Sequence, residues 1–401
     1  MDPAAIFENQ YHGKPELRFL SPGRINIIGD HTDYCGLPVL PMAIGRGIGV
    51  AAGPSDRPGL RATSSLDGQS VDSDAAGERT GWGRYVLAVH DQLAPLNTGG
   101  GGAELAFSGN LPSTGGLSSS SALAVGTVAA LNRLWDLDLA PDRIVELSLA
   151  AERAAAVAGG AMDQTVITFA TPGNALLIKF DPPEREHIPI PEDFRWVAAY
   201  SGTKAPKGDS AADAYNSFVL ASRAAATLLG DALGVVPGNP AQLSRVTDAD
   251  AATIGELPVV TVAEAAALTG GESLGLAADR PLDLRVSAEH VLSEAARVDS
   301  AAAAMRRGDR AAMGQLMIDS HNSLRRYGSS TEGLDRLVTA ATDAGADGAR
   351  VTGAGFGGWA IALASGDVVT DVVSAMEAAC GGPAFTVAAH GGVLASLGQD
   401  V

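Results

Sequence analysis

The chain has only two cysteines, Cys35 and Cys380, among 401 residues. That is too few for a disulfide framework or a thiolate metal site to organise the fold. Positive charge is scarce too: 28 Lys and Arg stand against 46 Asp and Glu, a formal net charge of −18. Such an acidic balance argues against a nucleic-acid or anionic-membrane surface, so neither partner is expected. It does not exclude an anionic substrate, because local backbone donors can outweigh the global field. No stretch approaches the roughly twenty consecutive apolar residues of a membrane span. The opening MDPAAIFENQYHGKPEL has neither a basic n-region nor an apolar centre, so it does not read as a secretory leader. A cytoplasmic protein is therefore expected. Internal repeats of fixed period are also missing.

What is present is enough apolar material, 46% of residues, for a sizeable core. The length suggests two domains or three. The stretch Leu111–Val125, LPSTGGLSSSSALAV, stands out. Gly115 and Gly116 permit close backbone approach to a ligand. Ser118, Ser119, Ser120 and Ser121 then lead into an apolar run. Serines at the mouth of a helix, with its free N–H groups and dipole, form an anion site. A capped helix after a glycine turn fits the same residues, and the stretch alone leaves both readings open. It lacks the G-K-[ST] ending of a P-loop.

Upstream, Ser21–Tyr34 reads SPGRINIIGDHTDY. Ile25, Ile27 and Ile28 suggest a short strand between turns. Asp30, His31, Asp33 and Tyr34 then supply donors and acceptors suited to a polyhydroxylated ligand, or merely an Asp-rich turn with a buried histidine. Arg24 among apolar neighbours needs an anion. Residues 1–16 read as an amphipathic helical lead-in, and 39–65 as alternating strands (VLPMAI, GIGVAA). Trp82 and Tyr85 share one helix face, either as core packing or as an aromatic wall beside a nucleotide base. A deeply buried helix is expected over 119–134, and a second helix over 141–158. Glu152 lies on the second, with an exposed glutamate beside Arg153 as its plain reading. Asp163 follows a Gly-Gly turn, where helix capping is the plain reading; two carboxylates, Glu152 and Asp163, flanking a common point is the other.

Strands are expected at 175–180 and 196–200, joined by the proline-rich connector DPPEREHIPIPEDF. That connector is the best domain boundary, giving domains 1–192 and 193–401. Helices are expected over 211–229, 262–268, 288–305 and 311–327. In GARVTGAGFGGWAIAL, Gly353, Gly355 and Gly358 formally match G-x-G-x-x-G. They lead into an apolar run of strand length, so strand–glycine loop–strand is the reading, not a dinucleotide fingerprint.

Taken in order, these motifs resemble those of the GHMP kinases, and among them the galactokinases. SPGRINIIGDHTDY is similar to the galactokinase signature, and NLPSTGGLSSSSAL to the family's phosphate-binding loop. GARVTGAGFGGWAIAL is similar to its third motif and GAMDQ to the segment carrying its catalytic aspartate. The helices AEHVLSEAARV and MGQLMIDSHNSLRR also resemble galactokinase helices, so the likeness runs from about residue 18 to 365.

The resemblance implies a two-domain α+β GHMP kinase fold. Its N-terminal domain would be α/β and ribosomal-protein-S5-like, its C-terminal domain α+β and ferredoxin-like, with the active site at their interface. It implies ATP, Mg²⁺ and a small sugar or sugar-like alcohol as acceptor, phosphorylated at the 1-position, in a monomer or small homo-oligomer. Asp163 would be the catalytic carboxylate and Arg24 its charge-stabilising partner. Gly115, Gly116, Leu117, Ser118, Ser119, Ser120, Ser121, Gly353 and Gly355 would face ATP, with Trp82 and Tyr85 near adenine. Ser120 and Glu152 would meet the metal, and Asp30, His31, Asp33, Gly160 and Tyr215 the sugar. Asp30 replaces the usual glutamate. This leaves open a kinase for another sugar, sugar derivative or cyclitol, besides a non-catalytic sugar-binding regulator. Lys204 and Lys207 near Tyr215 suit either an anionic acceptor or a solvated loop.

Overall fold

The computed structural model describes residues 2–65, 67–75, 80–111, 116–154, 159–203 and 209–397. Gly115, Lys204 and Lys207 lie outside them. The chain forms two compact units, 1–24 with 42–174 and 389–401, and 25–41 with 175–388. These divide the chain differently from the expected halves 1–192 and 193–401. The first crossing, between Arg24 and Ile25, falls inside a strand that runs unbroken past Pro22 and Gly23.

In the first unit, helix α1 (Pro3–Tyr11) starts on an Asp2 cap that accepts from Ala4 N at 3.1 Å. Strands β1 (Leu17–Ile28), β2 (Leu40–Ser55), β3 (Leu60–Ser64), β4 (Ser70–Asp72) and β5 (Gly102–Gly109) form a sheet in the order β1-β2-β5-β3-β4. Two expected interruptions are missing. Strand β1 runs straight through Ser21–Pro22–Gly23. It edges the sheet, where a proline without an N–H is tolerated. Strand β2 joins VLPMAI to GIGVAA without a break. Its Gly47 lets the neighbouring backbone come close, since a Cβ there would lie 2.2 Å from Ser21 O.

Helices α2 (Gly83–Leu93), α3 (Ser119–Leu134), α4 (Pro141–Ala154) and α5 (Met162–Phe169) complete the first unit's main body. Period-two alternation along β2 sorts the layers. Gly49 and Gly53 lie against Pro3 and Phe7 of α1, whereas Val50 meets Gly126 of α3. Helix α3 is buried without interruption from Ser121 to Leu131, as its apolar circumference predicts.

After residues 25–41 the second unit continues with β6 (Asn174–Phe180) and β7 (Pro183–Pro189), a two-stranded pair. Strand β7 occupies the connector whose prolines had masked it. Then come β8 (Arg195–Tyr200), α6 (Asp209–Leu233), α7 (Ala251–Gly255), β9 (Val259–Thr261), α8 (Val262–Leu268) and β10 (Pro281–Asp283). Two long helices follow, α9 (Leu284–Arg307) and α10 (Arg310–Tyr327). Asp283 and Asp309 cap their starts, and Gly308 and Gly328 take left-handed φ at their ends. Next are α11 (Glu332–Asp343), β11 (Gly348–Thr352), β12 (Trp359–Ala364), α12 (Val369–Cys380) and β13 (Ala384–Val387). The last helix, α13 (Val393–Leu397), belongs to the first unit.

Strands β11-β12-β8-β13 make an antiparallel sheet. Ala349, Val351, Ala360, Ala362, Val197 and Ala199 pack with Leu334 and Leu337 of α11 and Val372 and Met376 of α12. Alternation turns Arg350 and Thr352 to the opposite face. The expected strand–glycine loop–strand order is β11, residues 353–358 and β12.

Candidate functional site

In the first unit the site is built on a glycine. A Cβ on Gly23 would lie 2.8 Å from Leu117 O and 2.7 Å from Leu111 Cδ2. Its absence lets β1 run against the segment before α3, with Arg24 N donating to Leu117 O at 3.3 Å. The Arg24 guanidinium, almost wholly buried, forks onto Asp163. Nε donates to Oδ1 at 2.7 Å and Nη2 to Oδ2 at 2.9 Å, while Nη1 donates to Gly116 O at 2.8 Å. This is the anion that Arg24 required. Asp163 lies within the first turn of α5, whose cap is Ala161, so it does not cap the helix. Ser118 at the mouth of α3 takes φ +61° and its hydroxyl donates to Asp163 Oδ2. A serine in that region persists only where its surroundings hold it.

Glu152 is not an exposed helix glutamate. Ile144, Ser148, Ala151 and Glu152 share the buried face of α4, and Arg153 instead donates to Gly159 O. The Glu152 carboxylate accepts from Ser121 Oγ at 2.9 Å and from Gln164 Nε2. Burial pushes its carboxyl up to about 7, against hydrogen bonds from Ser120, Ser121 and Gln164, with the Asp163 charge adding to the rise. Among the described residues no three His, Cys, Asp or Glu side chains converge as a metal cage. The oxygen-only set of Ser120 and Glu152 does fit Mg²⁺, which takes one or two carboxylates and completes its shell with phosphate and water.

Trp82 and Tyr85 are half-buried. The Trp82 ring meets Phe107 edge-on at 5.9 Å and its Nε1 donates to Asp67, while Arg84 lies over Tyr85. Gly160, half-buried, directly precedes α5.

In the second unit, Asp30 is only 3% exposed. Its Oδ2 accepts from Arg350 Nη2 at 2.6 Å, and its Oδ1 from Asn26 Nδ2 at 2.8 Å and Gly353 N at 3.2 Å. His31 takes φ +65°. Its Nε2 lies 3.1 Å from Ala354 O and its Nδ1 3.1 Å from Tyr34 Oη. A carbonyl only accepts, so Nε2 carries the proton and Tyr34 donates to Nδ1. Tyr215, Phe218 and Tyr327 ring the imidazole at 5.8, 5.1 and 5.3 Å. Asp33, half-buried, opens the single turn Asp33–Cys35. Gly353 and Gly355 both take positive φ, and a Cβ on Gly355 would strike Ser329 O at 2.1 Å.

Sequence reasoning missed Arg350, Glu294 and His290. Arg350 in GARVTG is a guanidinium between apolar neighbours, the signal that had flagged Arg24. His290 and Glu294 stand four apart on the buried face of α9. Burial alone pushes the Glu294 carboxyl up, but Arg350, His290 and Arg297 together hold it at about 2.

Burial pushes the His31 imidazole down to about 3 and those of His290 and His321 to about 4. The unfolded chain therefore binds protons first, so these groups favour the fold above about pH 6.5 and lose that contribution as pH falls toward 4. Glu152, raised to about 7, has the opposite sign, but three histidines outweigh one carboxylate. The urea midpoint is expected to fall steadily from pH 7 to pH 5. A flat or rising midpoint would contradict the neutral, buried histidines.

The model of the GHMP kinase N-terminal domain matches residues 84–171, and that of the GHMP kinase C-terminal domain residues 301–382. The galactokinase galactose-binding signature matches residues 5–54. The galactokinase of Chloroflexus aurantiacus is 35% identical over 383 residues, 93% of this chain and 90% of the relative. That of Thermococcus kodakarensis is 31% identical, covering 86% of this chain and 89% of the relative. Among solved structures, Lactococcus lactis galactokinase complexed with galactose superposes with a TM-score of 0.77 at 28% identity, covering 97% of each chain. A mevalonate kinase, 17% identical with a TM-score of 0.63 over 93% of this chain and 99% of the other, shares the fold.

Proposed function

The chain belongs to the GHMP kinase family, in its galactokinase branch, and on that premise we propose that it transfers the terminal phosphoryl group of ATP to the anomeric hydroxyl of galactose. The observation that carries this reading is the Arg24 fork on Asp163 beside Ser118 at the start of α3. Free N–H groups of the first turn of α3, with the half-buried hydroxyls of Ser119 and Ser120, suit the nucleotide phosphates. Gly116 and Leu117 lead into that turn, and Gly353 and Gly355 are assigned to the same nucleotide.

Asp163 takes the proton of the acceptor hydroxyl as that oxygen bonds to the γ-phosphorus and the bond to the leaving ADP oxygen breaks. Arg24 fixes the plane of the carboxylate and offsets charge on the phosphoryl oxygens. Ser120 and Glu152 would hold Mg²⁺, which supplies charge neutralisation on the phosphates when bound. Trp82 and Tyr85 are assigned to adenine. Gly160, His31, Asp33 and Tyr215 are assigned to the acceptor, and Asp30, whose carboxylate is taken up by Arg350, Asn26 and Gly353, is set apart from them. No helix among the described residues is long and apolar enough to cross a membrane. A cytoplasmic location follows from the use of ATP.

Coupled ADP release tests the acceptor. Galactose, arabinose, galacturonate, N-acetylgalactosamine and a cyclitol are compared at equal concentration. Galactose is expected to give the highest kcat/KM. No turnover with galactose alongside turnover of another acceptor would replace the substrate and keep the chemistry. Tight binding of ATP and galactose with no transfer to any acceptor would make the protein a sugar-responsive binder.

A further inference from the structure

The most deeply buried charges of the second unit have no part in the chemistry above. Arg350 is 0% exposed. Its Nε donates to Ser320 Oγ at 3.0 Å, its Nη1 to Asn26 O and Ile27 O at 3.2 and 3.1 Å, and its Nη2 to Asp30 Oδ2 at 2.6 Å. Glu294 Oε1 stands 3.6 Å from the same Nη2 and accepts from Gly29 N at 3.0 Å and Ser320 Oγ at 2.6 Å. The Asp30 carbonyl accepts from His290 Nε2 at 3.1 Å. Asn26, Ile27, Gly29 and Asp30 are thus fastened one after another by side chains from β11 and α9, with Ser320 of α10 bridging Arg350 and Glu294.

The backbone they fasten is not one it would adopt freely. Gly29 takes φ +101°, and a Cβ there would lie 2.8 Å from Val298 Cγ2. His31 follows at φ +65° without being glycine. Such a conformation is costly for a side chain and persists only where neighbours over-determine it. The Asp30 carboxylate also reaches the glycine-rich turn through Gly353 N, and His31 reaches it through Ala354 O. One buried carboxylate therefore couples the turn at residues 29–31 to the turn at 353–354.

We propose that Asp30 and Arg350 are positioning residues: their buried ion pair sets the left-handed turn at His31 and its register with the glycine-rich turn, and so fixes how the acceptor is held without touching it. The inference rests on the reading that His31, Asp33 and Tyr215 hold the acceptor. The three donors converging on the Asp30 carboxylate make it an anchor. A glutamate, one methylene longer, overfills that space.

The test measures KM for galactose and for MgATP separately, together with the urea midpoint, in the full chain and in Asp30→Asn, Asp30→Glu and Arg350→Lys. Each variant is expected to raise the galactose KM about tenfold or more, as loss of a buried charged hydrogen bond implies, with a clearly smaller rise in the ATP KM, since Gly353 N also rests on Asp30. Asp30→Asn combined with Arg350→Lys is expected to be no worse than the poorer single variant, because both break one pair. A lowered galactose KM in Asp30→Glu would overturn the proposal and make residue 30 a direct contact. An unchanged galactose KM in Arg350→Lys would also overturn it. So would galactose and ATP KM values rising together in step with lost stability, which is what a merely structural role gives. If Arg350→Lys does not fold, the near-isosteric Asp30→Asn decides. If the unaltered chain uses another acceptor, the substrate reading fails on its own, and the same split is measured with that acceptor.

Discussion

Replacing Asp163 with asparagine is expected to lower kcat by a factor of about 10²–10⁴ while the affinity for ATP stays within a few-fold. The substitution keeps the shape and removes the group that can take a proton. It also turns one acceptor oxygen into a donor, yet Oδ1 receives Arg24 Nε, and Oδ2 receives Arg24 Nη2 and the Ser118 hydroxyl. Whichever way the amide is turned, an N–H meets an N–H or O–H, so Arg24 loses half its fork. Because the fork sits beside the phosphate cradle and is not part of it, nucleotide binding should survive. Single-turnover transfer and equilibrium ATP binding, measured on the same preparation, separate the two. An Asp163→Asn protein keeping more than a tenth of normal turnover would remove the carboxylate from the chemistry. An Arg24→Met protein is expected to fall in parallel, because its loss frees the carboxylate to rotate and withdraws charge from the phosphoryl group.

The second large effect is on stability. Arg350→Met removes the cation from between two buried carboxylates, Asp30 and Glu294, and is expected to cost about 3–5 kcal/mol. The loss depends on pH in a definite direction. Glu294 is held at about 2 in the fold, below the ordinary glutamate value, so its contribution is present at neutral pH and disappears only as pH falls through that value. Without Arg350 the largest favourable charge on Glu294 is withdrawn while burial and Arg297 Nε at 2.7 Å remain, so the carboxyl moves up. The deficit against the unaltered chain is therefore expected to shrink as pH is lowered from 8 to 4. Urea unfolding at the two pH values reads this directly. An equal deficit at both would mean that Arg350 acts through packing alone.

Most of the first-unit site was legible in the sequence because its signals are local. A guanidinium in an apolar strand demands an anion, and Asp163 meets that demand. Gly116 and the serines after Leu117 do mark the mouth of a helix. Glu152 was legible in kind, although its depth shows only when the 3.6-residue period of α4 is followed to residue 152. The Asp30 environment was not legible, since its partners lie far along the chain: Arg350 is 320 residues away and His290 260. Spacing carries no information at such separations. In the fold, helices with clear caps were readable to within a few residues. The missed strand β7 and the undivided β1 and β2 share one cause. Proline and glycine end a strand where a turn uses their backbone, but Gly23 and Gly47 stay extended and serve by lacking a Cβ, Pro22 lies on an edge strand, and Pro183 and Pro189 stand at the two ends of β7.

The route of the chain between the two units has a further consequence. Neither unit is a continuous piece of polypeptide. The first is completed by residues 389–401, where His390 N donates to Ala43 O at 2.9 Å and Gly392 N to Ala170 O at 2.7 Å. The second is started by residues 25–41, long before the rest of it is made. During synthesis neither core can close until the last dozen or so residues emerge or the early segment finds its late partners. No single cut yields a half that owns all of its own interior. Exchange of halves with a related protein would therefore have to move the 25–41 segment and the C-terminal tail together with the units they complete.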